Sequence, residues 1–313
     1  MPGLTAAAVG LLPSFTPTAA GSSFDAMSFT AALALVTGLM LVLSYSTTQA
    51  MTGGSVEGGV AERQRESGNG AADDPAESHG RSERPAEPDE AAGLDPAVGP
   101  PENYPPWLED GETDPLATMT TGLLLANVAI TQGVFLVAVV GAAVLTGVPR
   151  AAMGLAPAAV GPAPLLVGVG LGVGLYVANE VGAAVAEGAG IEYDERLRSV
   201  LAPDSAQGWA ALLGFVLPLV AVFEEVLFRA AMVGVLAAGF GLSPWLLAVG
   251  SSLLFAAGHG LQGPAGVAVT GALGFVLAAA FVLTGSLVTV VVAHYLVNAL
   301  EFGVHEGLGV EWV

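Results

Sequence analysis

Three apolar stretches of the sequence carry polar side chains of the kinds that do acid and base chemistry. Pro218 to Ala238 (PLVAVFEEVLFRAAMVGVLAA) contains Glu224, Glu225 and Arg229. Leu253 to Gly260 (LLFAAGHG) contains Phe255 and His259, and Val291 to Phe302 (VVAHYLVNALEF) contains His294 and Asn298. A charge near the centre of a bilayer costs about 2.5 to 3.5 kcal/mol on insertion scales, so two adjacent glutamates inside an apolar helix need a partner, water or a task. Helical spacing divides the work between them. Residues four apart lie about 40° apart around the axis, so Glu225 can reach Arg229, whereas Glu224 projects about 100° from Glu225 and is left to meet groups on neighbouring helices. Phe255 with His259, and His294 with Asn298, are also four apart and share a helix face. A carboxylate beside an imidazole is a competent pair for taking a proton from water. One imidazole alone in a spanning helix is as readily a hydrogen-bond partner across a packing interface, but three polar helices in one chain favour a site.

Glu224-Glu225-x-x-x-Arg229, Phe255-x-x-x-His259 and His294-x-x-x-Asn298, in that order and each on its own hydrophobic segment, resemble the three successive motifs of the CPBP membrane peptidases (CAAX protease and bacteriocin-processing), which include type II CAAX prenyl endopeptidases. The resemblance covers about Leu116 to Gly303 and leaves out the first apolar segment and the stretch that follows it. It implies that Glu224 and His259 position and deprotonate the attacking water, and that His294 and Asn298 stabilise the oxyanion. Glu225, Arg229 and Phe255 are implied as supporting residues, with Glu225 orienting the site through Arg229. Side-chain donors in a dry site can each lower a barrier by about 3 kcal/mol, so the residue types agree with those roles. The implied substrate is a membrane-bound protein or peptide: a prenylated protein, a leader-bearing peptide or another membrane protein.

The family is often described as metal-dependent, and Glu224, His259 and His294 would then be the ligands of a zinc ion with one open position. HExxH is absent, and Asn298 makes better sense as an oxyanion donor than as a zinc ligand, so metal-free glutamate chemistry without a cofactor is the favoured expectation. Intramembrane Glu, His and Arg also build proton relays, which keeps a proton-coupled transporter in view, although no inverted repeat is evident. A non-catalytic scaffold, or an immunity protein of the kind seen in some branches of the family, is the other competing reading.

Helices must position these residues. Runs of about 18 apolar residues or more can cross the hydrocarbon core, and about seven are present: Met27 to Tyr45, Leu116 to Val148, Pro162 to Glu187, Trp209 to Gly239, Pro244 to Leu261, Ala265 to Thr284 and Leu287 to Gly303. Only a helical bundle satisfies every backbone group in lipid with such segments, so the predicted fold is an all-α polytopic transmembrane bundle. Residues 1–50 form an N-terminal region with one anchor, and 116–313 form the peptidase domain. Between them, residues 51–115 are rich in Gly, Pro, Ser and acidic residues and read as a disordered acidic linker, in which His79 is solvated. Glycines in Val167 to Leu175 (VGVGLGVGL) read as close helix packing. Ile191 to Gln207 reads equally as a short interfacial helix or an exposed loop. Glu301, seven after His294, and Asn179-Glu180 read as snorkelling toward the interface near helix ends, with His305 solvated beyond the last span.

Composition supports the membrane reading. The 313 residues are 53% hydrophobic and 12% charged, about half the usual charged share of soluble domains. Lysine and cysteine are absent and the formal net charge is −20, which argues against nucleic-acid partners and rules out disulfides, thiolate nucleophiles and cysteine-bound metal. This acidic, lysine-free balance resembles that of halophilic archaeal proteins, whose self-repulsion is muted by salt. The expected location is a multi-pass position in the bilayer of the cell membrane. Too few arginines flank the spans to orient them.

Overall fold

A computed structural model of the chain describes residues 24–68, 120–188 and 196–310. The described elements are helical, and no strand occurs among them. By contacts the chain divides into two compact units, Met1–Thr48 with Met119–Val313, and Gln49–Thr118. The first unit carries the bundle.

In chain order the helices are α1 (Ala26–Gly68), α2 (Thr121–Leu145), α3 (Pro162–Gly188), the short α4 (Arg196–Leu201), α5 (Ala206–Phe240), α6 (Pro244–Ala257), α7 (Gly263–Thr284) and α8 (Leu287–Glu301). Asp25 starts α1 by accepting the Ser28 N–H at 3.0 Å, and its hydrogen bonds with the Ser28 side chain and amide hold its carboxyl below the ordinary carboxylate value. α1 continues to Gly68, well into the stretch whose composition predicts no order. Ala61 to Glu66 (AERQRE) are good helix formers, which accounts for that continuation. The rest of the predicted linker, with His79, lies outside the described residues.

Among the described residues six helices are long and apolar enough to cross a membrane, where the sequence suggests about seven. The difference is α6. Its 14 residues rise about 21 Å, against a hydrocarbon core of about 30 Å. Glycines are the physical reason: Gly258 caps α6, a single 3₁₀ turn follows at Gly260–Gln262, and Gly263 takes φ +70 before α7 begins. The predicted segment Pro244 to Leu261 is therefore a short helix plus a turn, and the turn carries His259.

α5 is the axis of the bundle. In its most apolar window 56% of residues are buried, against 17 to 33% for the other spans, whose apolar side chains face outward as lipid-facing residues do. Phe223, Leu227, Phe228, Ala230, Ala231 and Val233 are each at most 1% exposed. Two stretches of α5 widen into π-helix, Leu212–Val216 and Val226–Val235, the second starting immediately after Glu225. Such widened turns recur at functional sites.

α8 is held against α3 by the glycine run, but by only part of it. A Cβ at Gly168 would lie 2.7 Å from the Thr289 carbonyl oxygen, and one at Gly172 would lie 2.8 Å from Leu296 Cβ and 2.9 Å from the Ala293 carbonyl oxygen. Gly170 and Gly174 face open space. The four-residue spacing of Gly168 and Gly172 makes one smooth stripe on which the His294 helix rests. Gly172→Leu is expected to overpack this seam by about 1 to 3 kcal/mol and lower the thermal midpoint in detergent, while Gly174→Leu leaves it unchanged. Equal melting of the two variants would contradict the seam. At the N-terminus of α8, Gly285 adopts φ +60 to close α7, and Ser286 then caps α8 through the Thr289 N–H at 3.2 Å.

Candidate active site

Glu224, Glu225, Arg229, Phe255, His259 and His294 are linked by direct contacts where α5, α6, α7 and α8 meet. Glu225 and Arg229 are completely buried, Glu224 is 8% exposed and His294 3%. Arg229 lies one turn after Glu225 and donates from Nη1 to Glu225 Oε1 at 2.6 Å, the pairing that the four-residue spacing predicts. Its second nitrogen, Nη2, donates to the Gly274 carbonyl of α7 at 2.8 Å, and its guanidinium carbon lies 4.8 Å from the centre of the Phe255 ring of α6. Gly274 is small because it must be: a Cβ there would meet Phe255 Cδ1 at 2.9 Å and Arg229 Nη2 at 3.5 Å. One buried arginine thus ties three helices through a carboxylate, a carbonyl and an aromatic face.

His294 sits between the two glutamates. Its Nδ1 lies 2.7 Å from Glu225 Oε1, and its Nε2 lies 3.5 Å from Glu224 Oε2. A carboxylate paired with Arg229 can only accept, so Nδ1 of His294 carries a proton and donates it. Glu225 therefore serves two partners, Arg229 on its own helix and His294 on α8, and the second was not visible from spacing along one helix. The divergent directions of Glu224 and Glu225 suit this arrangement, because the two nitrogens of one imidazole also diverge.

His259 does not sit on the helix face that the four-residue spacing predicts. It is the residue after the α6 cap, with φ −109 and ψ 28. It still contacts Phe255, at 4.5 Å between ring centroids, and its Nδ1 donates to the Phe255 carbonyl at 2.7 Å, which leaves Nε2 as the free nitrogen. Phe255 also meets His294 edge-on at 6.1 Å and Phe228 at 5.0 Å, so its ring is the common wall between the two imidazoles and the arginine. Asn298, one turn beyond His294, is half-buried and lines a cavity of about 340 Å³. Leu273, Val297, Gln262 and Thr270 line the same cavity, and the Thr270 hydroxyl donates to Gln262 Oε1.

The far side of that cavity holds a second polar cluster, and here the expectations drawn from sequence fail. Asn179 donates to Glu301 Oε1, Arg198 donates to Glu301 Oε2 at 3.3 Å and to Glu306 Oε1 at 3.0 Å, and His305 Nε2 lies 2.9 Å from Glu180 Oε1. Glu180 and Glu301 do not snorkel, and His305 is not solvated. The last helix continues as π-helix through Phe302–Gly307 and brings His305 back against α3. The available signal was the seven-residue spacing from His294 to Glu301, which puts both on one face of α8.

The zinc reading would need donor atoms of Glu224, His259 and His294 gathered at ligand distance. Glu224 Oε2 and His294 Nε2 lie 3.5 Å apart, and among the described residues a separate carboxylate and imidazole group with donor atoms within 4.8 Å of one another is Glu180, Glu301 and His305.

Comparison with known proteins agrees with the motif reading. Residues 206–300 match the family model described as type II CAAX prenyl endopeptidase Rce1-like. That segment contains all three motifs, from Glu224 to Asn298, while α1, α2 and α3 lie outside it. No curated protein and no solved structure matches the chain. Six apolar spans mark an integral multi-pass membrane protein, and the segment that carries the complete motif set is similar to the type II CAAX prenyl endopeptidase Rce1-like family.

Proposed function

We propose that the protein is an intramembrane endopeptidase that hydrolyses a peptide bond in a membrane-associated or prenylated protein or peptide, working in the cell membrane. The observation that carries the reading is the buried chain Glu224, His294, Glu225 and Arg229, in which one glutamate is tied to a guanidinium and the other is not. Glu225 is neutralised by Arg229 and spent on structure. Glu224 has no cation on its own helix and is the group available as base.

In the proposed reaction Glu224 takes a proton from water with His259 Nε2 holding the same water, and the oxygen attacks the scissile carbonyl carbon. The carbonyl π bond breaks and the oxygen becomes an oxyanion, met by the Asn298 amide and by His294 Nε2 when that nitrogen is protonated. Glu225 accepting from Nδ1 stabilises that doubly protonated imidazole. Collapse of the intermediate breaks the C–N bond, and the proton held by Glu224 passes to the leaving amine. No metal takes part in this route. An amide, a poor zinc ligand, at Asn298 supports it.

The test is cleavage of a panel of prenylated and membrane-spanning peptides by the full chain, purified in detergent at high salt, with and without chelator. Cleavage that persists in chelator is expected. Activity lost in chelator and restored by zinc would transfer the reading to a metallopeptidase. A folded protein that cleaves nothing but carries proton flux sensitive to Glu224→Gln would be a transporter.

A further inference from the structure

The His259 turn has a support from outside the segment that matches the family. Along α1, Phe29, Leu33, Val36 and Met40 recur at helical spacing and pack on the bundle core, Phe29 at 1% and Leu33 at 5% exposed. The next position on that stripe is Ser44. Its hydroxyl donates to the Gly258 carbonyl oxygen at 2.7 Å, across 214 residues of sequence. Gly258 is the α6 cap, and its carbonyl belongs to the peptide unit that ends at the His259 nitrogen. The last carbonyls of a helix have no partner in their own helix, and inside a membrane there is no bulk water to supply one. Met40, one turn before Ser44, lies against the same glycine, where a built Cβ would sit 3.6 Å from its Cε.

We propose that Ser44 is a positioning residue for His259: the N-terminal span fixes the peptide plane on which the turn pivots, and so sets where the free Nε2 of His259 points. The restraint has two ends. The His259 Nδ1 bond to the Phe255 carbonyl fixes the ring relative to α6, and the Ser44 bond to the Gly258 carbonyl fixes the turn relative to α1. Loss of the second leaves the ring correctly held on a turn that is no longer anchored. The proposal rests on the reading of His259 as a group that holds the attacking water.

The experiment compares Ser44→Ala, Ser44→Thr and Thr47→Ala in the full chain, since the Thr47 hydroxyl bonds only within its own helix, to the Leu43 carbonyl. Two readouts are taken: amide hydrogen exchange over residues 256–262, and kcat and KM for cleavage. Ser44→Ala is expected to speed exchange of the turn amides and lower kcat, each about five- to tenfold, the effect of losing one hydrogen bond, with KM within twofold and the melting midpoint lowered by no more than about 4 °C. Ser44→Thr restores both and Thr47→Ala changes neither. Unchanged exchange and unchanged kcat in Ser44→Ala would overturn the proposal, as would an equal effect from Thr47→Ala. Faster exchange in Ser44→Ala with kcat unchanged would overturn the positioning role while leaving the tether. If the wild type cleaves no substrate, or His259→Ala cleaves normally, the catalytic reading of His259 is what fails, and the exchange data still decide whether α1 holds the turn.

Discussion

Glu224→Gln is expected to lower kcat by about three orders of magnitude while the protein folds and melts as the wild type does. The substitution keeps the shape and hydrogen-bonding reach of the side chain and removes only its capacity to take a proton. The fold tolerates it because the contact of Glu224 with His294 Nε2 is long at 3.5 Å, and Arg229 keeps its direct partner in Glu225. Measured kcat on the best peptide of the panel, alongside thermal melting in the same detergent, separates the outcomes. Retained cleavage in a folded Glu224→Gln protein would remove Glu224 as base and leave His259 as the candidate. Glu225→Gln makes the contrasting case: it disturbs both Arg229 and His294, so activity and stability should fall together.

Arg229→Met carries the largest expected cost to the fold. Both partners of the Arg229 and Glu225 pair are completely buried, and removing the cation strands a carboxylate in a dry interior, which costs about 3 to 5 kcal/mol. The bond to the Gly274 carbonyl and the contact with the Phe255 ring go with it, so α5, α6 and α7 loosen together. The expected result is a marked fall in the yield of folded protein and in its melting midpoint. A double variant, Glu225→Leu with Arg229→Met, should recover much of that stability, because two apolar side chains replace a pair whose desolvation nearly cancels its attraction. It should remain inactive, since His294 has lost the acceptor for Nδ1. A double variant as unstable as the single one would mean that the Gly274 and Phe255 contacts, and not the stranded charge, dominate.

Much of the architecture is legible in sequence because lipid imposes it. Apolar length predicts the spans, and the four-residue spacings predict Glu225 with Arg229 and Phe255 with His259. Even the glycine run of α3 announces its packing role. What sequence spacing cannot supply is the identity of partners on other helices. The bond from His294 to Glu225 joins residues 69 apart, and that from Ser44 to Gly258 joins residues 214 apart. No periodicity encodes either. The cluster of Asn179, Glu180, Arg198, Glu301 and His305 escapes sequence reading for the same reason, because Glu180, Glu301 and His305, taken alone near helix ends, resemble ordinary interfacial groups. The excess in the span count has a different origin. A hydropathy run passes through Gly258 and Gly260 without registering that glycine can end a helix while remaining apolar.

The shortness of α6 has a consequence for the lipid itself. A helix about 9 Å shorter than the hydrocarbon core cannot keep both of its ends at the headgroups, so its terminal turn creates a local hydrophobic mismatch. If acyl chains beside α6 compress to meet it, the bilayer is thinned next to the turn that carries His259. For the proposed lipid-anchored substrate, that thinning would give the shortest path out of hydrocarbon, so membrane thickness would join the side chains in setting what the proposed peptidase reaches.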